Sequence, residues 1–198
     1  MTKYDWAPGM PFLPQFGGGK SFPQVFCGPI DGPAPPTPMF TDDAIFRSGK
    51  KGCFQIVALL DSPDQLPLAK GDITSVSCQI ENGIILNTAE TTYVVDNQFR
   101  SVPAASPYLE VLHDRTSCVR ILEAEEYTAA GMTDAALATN LTRPAPLYYD
   151  PHRIKKDLGA SVNYVIVRWD RMVFASCRDV RELRQALDLV QNCIYNST

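Results

Sequence analysis

The stretch YVIVRWDRMVFAS, residues 164–176, followed by RDVRELRQALDLVQNCI, restricts the architecture of this chain more than any other part of it. Val165, Ile166 and Val167 read as one strand, and Met172, Val173 and Phe174 as the next, with Arg168 to Arg171 as the turn. Behind them Val180, Leu183, Leu187, Val190 and Ile194 recur at steps of three and four, the apolar stripe of an amphipathic helix. Asp179 is placed to cap that helix, with Glu182 reaching back three residues later. An antiparallel hairpin followed by a helix that must cover one sheet face gives an α/β sandwich.

The rest of the chain supplies the other strands. GCFQIVALLD, residues 52–61, is a continuous apolar run bounded by Gly52 and Asp61-Ser62-Pro63, which predicts a central strand buried on both faces. SVSCQIENGIILN, residues 75–87, carries Asn82-Gly83 between apolar pieces and predicts a hairpin. TTYVVD and YLEVLHD read as short strands, and SCVRILEAEEY as a strand leading into a helix over EEYTAAGMTDAALATNL.

Residues 1–40 differ in kind. Nine prolines between Pro8 and Pro38, with Gly17 to Gly19, predict an irregular arm without regular helix. Its rings, Phe12, Phe16, Phe22 and Phe26, are too many for a solvated linker, so the arm is expected to wrap a surface or line a pocket. Two parts follow: the arm over 1–40 and a domain over 41–198.

At 198 residues the chain is long enough to bury one core, and 45% apolar against 20% charged residues is globular composition. A net charge of -4 leaves no electrostatic footprint for nucleic acid. No apolar stretch reaches the roughly 18 to 20 residues that cross a bilayer, and MTKYDWAPGM lacks a signal-peptide core. A soluble, cytoplasmic protein is expected, with neither nucleic acid nor membrane as partner. The six cysteines form no C-x-x-C pair and have no histidine at ligand spacing, so no metal or dithiol chemistry is predicted, and Cys53 and Cys177 read as buried structural thiols. The sequons at Asn140 and Asn196 mean little without an export signal.

Taken together, YVIVRWDRMVFASCRDVRELRQAL, the opening APGMPF and FTDDAIFRSGKKGCFQIVALLD resemble the C-terminal domain of flavin-dependent phenol hydroxylases and related fungal aromatic-ring monooxygenases. The resemblance covers most of the chain and implies a thioredoxin-like domain without the redox dithiol. Two departures stand out. No G-x-G-x-x-G follows a strand, so the flavin platform is missing and no cofactor is expected. Trp169 stands where the family's turn has proline, while Arg168 matches its usual arginine. Met1 is followed almost at once by the opening segment, so a native start is expected.

A stand-alone domain of this kind points to a cofactor-independent catalyst for a small aromatic, phenolic, tropolone-like or polyketide-derived molecule. Dehydration, isomerisation or cyclisation, including a pericyclic hetero-Diels-Alder step, needs orientation and a few hydrogen bonds. The candidate catalytic residues are His113, His152 and Arg168; for His113, Asp114 or Arg115 beside it tunes the imidazole. Trp169, Tyr148, Tyr149, Phe16 and Phe22 are the candidate substrate contacts. Glu123, Glu125 and Glu126 read first as a solvated acidic face, and RIKKD as a solvated basic one. The alternative is a non-catalytic module that forms a homodimer or docks on a separate monooxygenase, as the resemblance implies.

Overall fold

A computed structural model describes residues 12–31, 39–47, 54–77, 91–97, 106–112, 115–129 and 149–195. Among the described residues seven strands form one mixed sheet: β1 (Phe26–Pro29), β2 (Met39–Phe40), β3 (Phe54–Leu60), β4 (Thr92–Val95), β5 (Cys118–Ile121), β6 (Tyr164–Arg168) and β7 (Val173–Cys177), in the order β2-β1-β5-β4-β3-β6-β7. The helices are α1 (Thr41–Ile45), α2 (Leu66–Ser77), α3 (Ala124–Ala129), α4 (Arg153–Leu158) and α5 (Val180–Tyr195). Strands β3, β4 and β5 run parallel, β6 runs antiparallel to β3, and β7 antiparallel to β6. A β3-α2-β4 unit joined to a β6-β7-α5 unit in the order β4-β3-β6-β7 is the thioredoxin-like arrangement expected.

The sequence explains the centre of the sheet. All seven residues of β3 are buried, as a strand covered on both faces requires. Even-numbered side chains such as Ile56, Ala58 and Leu60 join Leu66, Ala69, Ile73 and Val76 of α2 and Leu183, Ala186, Leu187 and Val190 of α5 in one cluster. Odd-numbered Val57 and Leu59 join Phe22, Val25, Ala44 and Ile45, Ile154 of α4 and Val162 in the other. Burying each such side chain contributes about 1.5–3 kcal/mol, which holds both layers on the sheet.

The hairpin and final helix follow the spacing of the residues. Arg168 N–H donates to Met172 O at 2.9 Å and Arg171 N–H to Arg168 O at 2.9 Å, a tight loop closed by Arg171 at φ 67. Asp179 Oδ1 accepts the N–H groups of Arg181 and Glu182, both at 2.9 Å. Glu182 does reach back, but to the N–H of Arg178 at 2.7 Å.

Four expectations need correction or bounds. Residues 108–111, read as part of the strand YLEVLHD, are turns, in which Leu109 N–H donates to Ser106 O at 3.0 Å and Leu109 itself is fully buried; residues 113 and 114 of that stretch lie outside the described residues. Within the stretch expected to be irregular, Phe26–Pro29 and Met39–Phe40 are strands, because Phe26, Cys27 and Gly28 keep their N–H donors between flanking prolines. Ser75 to Ser77 end a helix, and the remainder of the expected Asn82-Gly83 hairpin lies outside the described residues. The helix expected through residue 141 is described only as far as Ala129.

Candidate functional site

Parallel strands end on the same side of a sheet, and ligands of open α/β sheets bind beyond those carboxyl ends. Here β3, β4 and β5 end together around a small, shallow crevice, open to solvent, lined by Leu59, Leu60, Val94, Asp96, Ile121, Pro151, His152, Ile154 and Lys155. The floor is apolar. Asp96, His152 and Lys155 are the groups at its rim that can carry charge.

Helix α4 forms one wall because Ile154, 1% exposed, anchors it against the odd-numbered face of the sheet. Asp150 shapes the turn before it, accepting the His152 N–H at 3.0 Å and the Lys156 ammonium at 2.6 Å. The bond from Lys156 holds the Asp150 carboxyl below its ordinary range. Lys155 ties the wall down through Asp61 at 3.1 Å and Val162 O at 3.2 Å. His152 is exposed, its ring makes no capping bond to α4, and it lines the crevice.

A second polar group flanks the ends of β4 and β5. Arg120, 1% exposed, pairs with Glu126 at 2.8 Å; Glu126 also accepts the Glu123 N–H at 3.1 Å, and Asn97 donates to Glu123 at 2.6 Å. These carboxylates are thus built into the fold, while Glu125 is exposed. Tyr149 belongs to the same end: its hydroxyl donates to Leu122 O at 2.6 Å and its ring lies 5.0 Å from that of Phe26.

The other expected site residues lie elsewhere. Arg168 is buried, pairs with Asp170 at 2.8 Å and sits 4.8 Å from the ring of Phe12. It is in register with Phe54, at the opposite end of β3 from Leu60; six strand residues place it about 20 Å from the crevice. Trp169 is 63% exposed at the hairpin tip. Phe22 is packed in the core under the odd-numbered face, and Phe16 against the core under the even-numbered one. His113 and Tyr148 lie outside the described residues. Asp96, Ile154 and Lys155 were not singled out from sequence, although a lone acid directly after the apolar TYVV strand was a usable signal.

Cys27, Cys118 and Cys177 are free, buried thiols. Burial pushes Cys118 and Cys177 up to about 12 and Cys27 still higher. Among the described residues no group of acidic, histidine or cysteine side chains could hold a metal ion, and no helix is long and apolar enough to cross a membrane.

No protein-family model matches the chain, and no curated protein matches it. Among solved structures, copper-bound yeast Sco1 is similar at 15% identity and a TM-score of 0.44, over 93% of this chain and 94% of that one. A further yeast Sco1 structure gives 12% and 0.45 over 87% and 93%, and Mycobacterium tuberculosis AhpC 15% and 0.36 over 91% and 94%. The thioredoxin-like assignment rests on strand order and direction.

Proposed function

We propose that this chain is a cofactor-independent enzyme of fungal secondary metabolism that binds a phenolic, tropolone-like or other polyketide-derived intermediate against the shallow crevice at the ends of β3, β4 and β5. The observation that carries this is the pairing of an apolar floor with Asp96, His152 and Lys155 at its rim, the make-up of a small-molecule site. Leu59, Ile121 and Ile154 offer a surface for a flat ring. His152 offers an imidazole for acid-base work, and Lys155 a positive charge for developing negative charge. Dehydration, isomerisation or cyclisation, a pericyclic step included, then draws on orientation. The resemblance to the C-terminal domain of phenol hydroxylases, a finer kinship than the shared fold, supports an aromatic substrate class. The test is conversion of phenolic polyketide intermediates by the purified protein alone, with the His152 ring signals followed by NMR. Conversion with perturbed His152 signals is expected; unchanged signals with no conversion would overturn the assignment.

A second function, docking on a separate flavin monooxygenase, is favoured by one observation: Trp169 stands exposed on a tip held by the Arg168–Asp170 and Arg171–Asp42 pairs. It predicts activity only when the partner enzyme is added.

A further inference from the structure

The crevice is too small and shallow to enclose an aromatic ring, yet a broad apolar surface continues beneath its wall. On the odd-numbered face Val57, Leu59, Val94, Val119 and Ile121 pack in one cluster with Ile154 and Leu158 of α4. Ile154 alone of α4 is buried, while Arg153, Lys156 and Asp157 are exposed. A helix of six residues has no stability of its own in water. α4 therefore stays in place only through what it touches.

Those contacts are weak ones. Among the described residues the polar ties from α4 to the rest of the molecule are Lys155 to Asp61 at 3.1 Å, Lys155 to Val162 O at 3.2 Å and Lys20 to Asp157 O at 3.1 Å. The Asp61 side chain is 57% exposed and Lys20 is exposed, so both bonds are screened by salt and each is worth little. The pairs of Lys156 with Asp150 and Arg153 with Asp157 lie within the segment and would travel with it. Firm points bound it: Tyr149, whose hydroxyl donates to Leu122 O at 2.6 Å, and buried Val162. Between them residues 150–152 belong to no helix or strand, and Gly159 holds φ 117, which only glycine adopts freely. One buried side chain and exposed hydrogen bonds mark a unit that opens locally, well below the cost of global unfolding.

Resting on the crevice as the ligand site, we propose that residues 150–159 are a lid, and that a flat, uncharged phenol slides between α4 and the surface of Leu59, Val94 and Ile121 when the lid lifts. Withdrawing Ile154 bares that surface, and α4 then settles on the ring with His152 and Lys155 beside it. None of the sheet residues beneath α4 carries a charge, so a charged ring would lose its hydration there without a buried partner. Because the open state is the minor one, the apparent affinity scales with its population.

Amide hydrogen exchange and 2-naphthol binding, measured together, test it. The Lys156 and Gly159 amides, bonded to His152 O at 3.1 Å and Lys155 O at 3.0 Å, report the lid, and the amides of β6 report global unfolding. In the wild-type protein the lid amides should exchange at least about a hundred-fold faster than those of β6. Asp61→Asn with Lys20→Gln cuts two outer ties without touching the apolar surface, and should speed lid exchange about three- to ten-fold. The 2-naphthol Kd should fall by the same factor, since the probe is neutral and the open state is more populated. Lid amides exchanging no faster than β6, or faster lid exchange with an unchanged Kd, overturns the lid and leaves the crevice as a surface site. Absence of 2-naphthol binding to either protein overturns the lid and the crevice together. If the double variant does not fold, the wild-type exchange ratio decides by itself.

Discussion

Arg171 reaches from the hairpin tip to Asp42, its guanidinium 2.7 Å from a carboxylate that is 3% exposed. The same residue is the one non-glycine among those described with a positive φ, 67°, a conformation that costs an L residue about 1–2 kcal/mol. Glycine would suit the backbone, but it cannot reach Asp42. Arg171→Ala keeps the strain and removes the ion pair, so a loss of about 2–4 kcal/mol is expected in urea unfolding. Arg171→Gly should lose about 1 kcal/mol less, and equal losses would show that the backbone is not strained.

For the buried Arg120–Glu126 pair, Arg120→Met alone leaves a largely buried carboxylate beside an apolar chain and should destabilise by about 3 kcal/mol. Arg120→Met with Glu126→Leu should recover at least about half of that. A double variant as unstable as the sum of its parts would mean the two residues are not coupled.

The start of α5 makes stability depend on acid. The Glu182 N–H holds the Asp179 carboxyl below its ordinary range, and the Arg178 guanidinium does the same for Glu182. Groups depressed in the folded state contribute above their unfolded values near about 4 and lose that contribution as pH falls through the lower folded values. The Tm should therefore be level above about pH 5 and fall below about pH 4. Asp179→Asn with Glu182→Gln should flatten that fall; an unchanged acid limb would place the sensitivity elsewhere.

His152 is exposed and carries no packing, so His152→Gln should leave Tm unchanged while lowering turnover by about 10²–10⁴. A fall in turnover that tracks a fall in Tm would mark His152 as structural.

The thiols of Cys27, Cys118 and Cys177 are buried and held protonated. Iodoacetamide at pH 8 should leave all three unmodified in the native protein and alkylate them in urea, as read by peptide mass mapping. Native labelling of any of the three would overturn the burial seen in the structure.

Legibility in the sequence followed the strength of the local signal. β3, the hairpin and α5 were readable because each pairs an unbroken apolar pattern with a turn or cap residue, as Asp179 does for α5. Helix α2 escaped notice although Leu66, Ala69, Ile73 and Val76 keep helical spacing, because Pro67 and Gly71 interrupt it; Pro67 falls in the first turn, where its missing donor costs nothing, and Gly71 is exposed. YLEVL alternates like a strand yet forms a turn, which buries Leu109 and packs Val111 and Leu112 against the same core without a ladder. Of the crevice, His152 was singled out but its partners were not, because β3, β4, β5 and α4 come together only through tertiary packing.

The backbone bonds that residues 12–22 make along β7, such as Gly19 N–H to Val173 O at 2.9 Å, also bear on how the chain is assembled. Ser21 and Met172, bridged in the fold, are separated by 151 residues, so residues 12–22 must wait for the hairpin before they can dock. Closing so wide a loop is slow, and a nascent chain holds Leu13 and Phe22 uncovered until the hairpin emerges.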